Sequence, residues 1–166
     1  LINAGQKFKK LDIYTSAECM YKNQEFVRDG FVWDVWEKNL KKANASPHVN
    51  GVYIMMTISV LSIWTVAEFL QQIVTWKKEC NDIHAFFMSV NILRFPSFQS
   101  VNMLPQATKE MLADKIEKVM EVNKDWISDL ERNQFQRLLI YLRRVDTPSE
   151  DVDAYGEKKH DSINFI

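Results

Sequence analysis

Cysteine, histidine, glycine and proline are all scarce in this chain of 166 residues, with 2, 3, 4 and 4 copies. The two cysteines, Cys19 and Cys80, lie far apart with no C-x-x-C spacing, which argues against a disulfide framework and for a reducing, cytoplasmic compartment. They are also too few for a zinc or iron–sulfur site, and His48, His84 and His160 are scattered. So few glycines and prolines do not suit an all-β fold with many tight turns; helices should dominate. Charge of one sign is missing too: 21 basic against 22 acidic residues give a net charge of -1, so non-specific nucleic-acid binding is not expected. There is no Gly-rich phosphate loop, no Ser-His-Asp order and no H-E-x-x-H. The longest uncharged run, Gly51 to Ala67, is broken by Thr57, Ser59, Ser62 and Thr65. It falls short of the roughly 20 apolar residues of a membrane span. No signal peptide opens the sequence, where Leu1 to Gly5 runs into Lys7, Lys9 and Lys10.

What is present is a core. Hydrophobic residues make up 46% and charged residues 26%, the balance of one globular domain. Three stretches read as strands: 11–15, 52–59 and 85–93. The second and third are continuous apolar runs, which predicts strands buried on both faces of a parallel sheet. Between and after them, apolar residues recur at helical spacing over about 31–45, 65–79, 107–122 and 128–142. Thr65-Val66-Ala67-Glu68 and Ser128-Asp129-Leu130-Glu131 both read as capping boxes. Residues 16–30 read as polar connection, closed by the turn signal Arg28-Asp29-Gly30. Leu1 to Lys10 is expected to be a basic connector or the end of a helix, and residues after 148 a flexible tail. Three strands are few for a complete α/β domain, and half of a barrel suits them better. The fold class is therefore α/β, a partial parallel (βα) barrel fragment with C-terminal helices.

In parallel sheets, ligands bind beyond the C-terminal ends of the strands. There the sequence offers Thr15, Ser16 and Glu18, then Thr57, Ser59 and Ser62, then Asn91, Arg94 and Ser97. Hydroxyls and amides suit a neutral, sugar-like ligand, and Arg94 suits a carboxylate or phosphate. The plainer role for each is to cap a helix or satisfy loop backbone. Glu18 and Glu25 are expected to be solvated loop carboxylates rather than an acid/base pair. His48 is expected in a turn, and Trp33 and Trp36 are expected to anchor their helix on the sheet. The Met55-Met56 pair and Met88 are expected in the core.

Four segments carry a family resemblance: Ile13-Tyr14-Thr15-Ser16-Ala17-Glu18, Glu25-Phe26-Val27-Arg28-Asp29-Gly30, Met55-Met56-Thr57-Ile58, and the most specific, Asn91-Ile92-Leu93-Arg94-Phe95-Pro96-Ser97-Phe98-Gln99-Ser100. They resemble radical S-adenosylmethionine (radical SAM) proteins, in particular twitch-domain-containing ones, many of them encoded by tailed bacteriophages. The resemblance spans about residues 1–148. It implies a partial (βα)6 barrel in which S-adenosylmethionine lies across the strand ends. A 4Fe-4S cluster on a C-x-x-x-C-x-x-C loop cleaves that cofactor to a 5′-deoxyadenosyl radical. No such loop occurs here. The resemblance therefore implies the C-terminal half of the barrel, with the cluster expected in a missing N-terminal half and no activity from this part alone. It also implies cofactor contacts from Ser16, Thr57, Ser59, Asn91 and Arg94, with serine at 59 where the family more often has asparagine. The substrate stays open between peptide and nucleotide. A non-catalytic scaffold or interaction module derived from such a barrel is the alternative, and a free-standing small-molecule binding domain is a third. An isolated half barrel is expected to self-associate through its uncovered sheet.

Overall fold

A computed structural model describes residues 11–145; the readings for 1–10 and 149–166 lie outside them. The chain is mixed α/β: β1 (Asp12–Ser16), α1 (Tyr21–Val27), α2 (Trp33–Asn44), β2 (Gly51–Ile58), α3 (Val66–Cys80), β3 (Phe87–Ile92), α4 (Gln106–Val122) and α5 (Asp129–Arg143), with short 3-10 turns between. The strands form one sheet in the order β1-β2-β3, every pair parallel. Among the described residues no helix is long and apolar enough to cross a membrane.

Among the described residues, the sheet is covered on one face, not two. Along β2, Val52, Ile54, Met56 and Ile58 are buried, while Gly51, Tyr53, Met55 and Thr57 are only half-buried. The apolar run hid this alternation because Tyr53 and Met55 read as core residues although their face lacks helix cover. On the covered face, Trp36 of α2 donates its Nε1–H to Thr15 Oγ1 at 2.8 Å. Its ring packs on Phe69 and Trp76 of α3 at centroid distances of 6.2 and 6.3 Å. Trp33 is buried beside them. These rings, with Phe86 against Trp76 at 5.6 Å, make the aromatic centre of the core. Met56 and Met88 fill the same layer, whereas Met55 faces the other way.

Helix α3 buries Val66, Phe69, Leu70, Ile73, Val74 and Trp76 at helical spacing. Its predicted capping box does not form. Thr65 makes no cap bond, and its Oγ1 instead accepts the Met20 N–H at 3.1 Å, tying the β1 loop to the start of α3. Asn81 ends the helix in the left-handed region at φ 51, which asparagine tolerates. The second box does form: Ser128 accepts the Glu131 N–H, and Glu131 reaches back to the Ser128 N–H. Helix α4 packs on both α3 and α5. Arg143 of α5 grips its Asp114 and Glu117 at 2.8 and 2.6 Å.

The two sheet edges differ. At β3, the outward N–H groups of Met88 and Val90 donate to the Glu131 and Gln134 side chains of α5. At β1, Ala17 N–H bonds to Met55 O, so strand alternation points the N–H groups of Asp12, Tyr14 and Ser16 away from β2. They meet no partner among the described residues.

Candidate functional site

Register places the strand residues in rows across the open face. Tyr14, Tyr53 and Phe87 are aligned, then Ser16, Met55 and Ser89, then Thr57 and Asn91. The aromatic row is a physical stack. Tyr14 and Tyr53 lie 4.7 Å apart at 13° between planes, and Tyr53 meets Phe87 at 5.7 Å. Gly51 makes room for it, since a Cβ there would sit 2.8 Å from the Tyr53 ring. Burial in this stack pushes the Tyr53 hydroxyl above its ordinary pKa, and the Asp12 carboxylate adds to it. Tyr14, on the bare edge, is 64% exposed. Sequence reasoning missed this aromatic row and Ser89; the signal available was the less apolar odd positions of β2.

Of the predicted site residues, Ser16, Thr57 and Asn91 come together on the open face, at the C-terminal ends of three neighbouring strands. Their side chains have no hydrogen-bond partner among the described residues, which leaves two hydroxyls and one amide available. Ser59 does not join them. It is buried, its N–H donates to Ser62 Oγ at 2.9 Å, and its own Oγ accepts the Leu61 N–H at 3.3 Å. The hydroxyl serves its own loop. Arg94 is exposed two residues beyond β3 and has no ion-pair partner among the described residues.

Glu18 overturns the expectation of a solvated carboxylate. It is 2% exposed and accepts a paired contact from the Arg28 guanidinium. Gln24 donates to its Oε2 at 3.0 Å, and Gln24 Oε1 accepts the Glu18 and Cys19 N–H groups at 2.8 and 3.1 Å. Glu25 accepts the Trp33 N–H at 3.0 Å at the start of α2. Both carboxylates are thus committed to structure and neither is placed as an acid or base. His48 lies exposed in the turn before β2.

The thiols do not suit an iron–sulfur cluster. Burial, reinforced by the Glu18 charge, pushes the Cys19 thiol up to about 12, so it does not ionise in the folded chain near neutrality. Cys80 is exposed at the far end of α3 and accepts from Asn44 Nδ2 at 3.6 Å. No group of three or more metal-ligating side chains forms among the described residues. A groove of about 580 Å³ lies among α3, α4 and the start of α1, with Lys115 and Lys118 on its wall, and no strand residue lines it. No protein-family model, curated protein or solved structure matches the chain.

Proposed function

We propose that the chain is the C-terminal half of a radical SAM partial (βα)6 barrel and that its open sheet face contributes contacts to S-adenosylmethionine and to a substrate. One observation carries the reading. Three sequence-consecutive parallel strands keep their helices on one face and gather Ser16, Thr57 and Asn91 on the other, at the strand ends. That is how a section of a (βα) barrel is built, with helices outside and ligand groups at the C-terminal rim. Ser16 and Thr57 would donate to and accept from ribose hydroxyls, and the Asn91 amide would serve a base edge or the amino-acid portion. Arg94 would pair with a carboxylate, of the cofactor or of the substrate. Ser59 would act only by holding the β2 loop in its path. S-adenosylmethionine supplies the radical chemistry when reduced at a cluster carried outside this chain; the residues here bind, orient and exclude water.

The test begins with the coding sequence upstream of Leu1. About three further βα units of some 30 residues each put a C-x-x-x-C-x-x-C loop about one hundred residues before Leu11. Finding it supports the enzyme half. The complete protein should then bind S-adenosylmethionine, and Thr57→Val with Asn91→Leu should weaken binding at least about tenfold, the equivalent of ~1.4 kcal/mol. A coding start immediately before Leu1, with no cofactor-induced shifts of the Ser16, Thr57 and Asn91 amides, would replace the reading with the interaction module. The bare β1 edge and exposed Tyr14 are what that second reading would use.

A further inference from the structure

The rim of the open face has a composition that narrows what it receives. The two loops leaving β2 and β3, residues 59–65 and 93–105, contain one charged side chain, Arg94, in a protein where 26% of residues are charged. Surface loops ordinarily carry polar and charged residues. These expose Leu61 at 40%, Trp64 at 43% and Phe95 at 82%. Nor are they slack. Trp64 Nε1 donates to Val60 O at 2.8 Å, and the Val60 N–H donates to Gln99 O at 2.8 Å, which ties the two loops together. A tryptophan held by its own loop, an exposed phenylalanine, a lone arginine and a lack of other charge in these two loops are the make-up of a protein-recognition surface core.

We infer that the substrate received at this rim is a polypeptide, presented as a short apolar segment carrying one carboxylate for Arg94. This deepens the proposed function and rests on it for the word substrate. A nucleic acid would require several lysines or arginines to neutralise successive phosphates, and these two loops provide one. A cationic segment would find no acid in either loop. Apolar side chains would lie against Trp64, Leu61 and Phe95, and the carboxylate would take the Arg94 guanidinium, which has no ion-pair partner among the described residues.

The experiment pans a displayed library of random dodecapeptides on the full protein, then measures binding of the enriched sequences as synthetic peptides. The expected result is enrichment of aromatic or aliphatic residues with an Asp or Glu. Phe95→Ser should weaken such a peptide at least about tenfold, which at 82% exposure leaves the fold intact. Arg94→Gln should weaken it only while the peptide keeps its carboxylate. No enrichment, or peptides indifferent to both substitutions, overturns the inference, as does tighter binding of a decathymidylate that falls steeply with salt. S-adenosylmethionine binding, measured in parallel on Phe95→Ser, separates the two claims. Peptide binding without cofactor binding leaves the rim as a docking surface and removes the enzyme reading; cofactor binding without peptide binding does the reverse.

Discussion

Lys77 and Glu131 are the most exacting test of how this fold holds together. Both side chains are fully buried, and Lys77 Nζ donates to Oε1 and Oε2 of Glu131 at 2.8 and 2.7 Å. The same carboxylate accepts the Met88 N–H at 3.0 Å, the Ser128 N–H at 3.0 Å and the Ser128 hydroxyl at 2.7 Å. One group thus joins α3, α5 and the edge of β3. Lys77→Met leaves a carboxylate charge in the core without its cation, a loss of about 3–5 kcal/mol. Glu131→Gln leaves the ammonium facing a neutral amide. Its cost at pH 7 has a ceiling of about 5 kcal/mol, because a lysine with an ordinary value of 10.5 can shed its proton across three and a half pH units at ~1.36 kcal/mol each. Together the two substitutions remove both charges, and the single amide oxygen of Gln keeps an acceptor for either the Met88 N–H or the Ser128 N–H while its –NH2 faces the other. The double variant should therefore lie within about 3 kcal/mol of the parent, the cost of one buried N–H left without its acceptor, and well short of the summed single losses.

Urea unfolding followed by tryptophan fluorescence measures all four proteins, and comparable slopes would show that the transitions describe the same process. If the double variant loses the sum of the single losses to within about 0.5 kcal/mol, the two groups are not coupled and the reasoning fails. The pH dependence gives a second check. Burial outweighs the Glu131 charge and holds Lys77 below its ordinary value. Between that lowered value and 10.5 the unfolded chain binds the extra proton, so stability from this group rises with pH. The stability difference between parent and Lys77→Met should widen through that window. A flat or shrinking difference would contradict the assigned direction.

Two further outcomes follow from the β1 loop and the free thiols. A thiol reagent near pH 8 should label Cys80 at once and Cys19 only as the chain unfolds; equal native rates would contradict the burial of Cys19. Because the folded value of Cys19 is raised from 9.0 to about 12, its contribution is complete below pH 9 and is lost as pH climbs toward 12, a loss Cys19→Ala should abolish in urea titrations. Gln24→Leu strips the acceptor from two buried N–H groups and should cost about 2–4 kcal/mol by denaturant midpoint. A change under about 0.5 kcal/mol would mean that the loop re-pairs without Gln24.

The parts of this structure that were legible in the sequence are those fixed by local pattern. The apolar stripes of α2 to α5 and the Ser128–Glu131 box are read within a few turns of chain. Helix α1 was not legible because it has no apolar stripe. Its one buried residue is Gln24, and a polar network with Glu18 and Arg28 holds it. The carboxylate of Glu131 and the ammonium of Lys77 meet across 54 positions, a distance at which no spacing rule operates. The candidate site divides in the same way. Strand-end logic picks out Ser16, Thr57 and Asn91, which the register places on one face, but whether a serine such as Ser59 faces outward or its own loop depends on the turn it makes.

The unequal sheet edges also set how far this protein can associate by strand pairing. An edge that is open on both sides of a sheet permits head-to-tail growth without limit, the geometry of a fibre. Here Glu131 and Gln134 occupy the outward amides of Met88 and Val90 on β3, and among the described residues β1 is the edge left to pair. Two copies meeting β1 to β1 about a twofold axis would run antiparallel and use up the open edge that the described residues of each present. Such an association closes on itself at two, so the side chains of α5 act as a chain terminator for polymerisation.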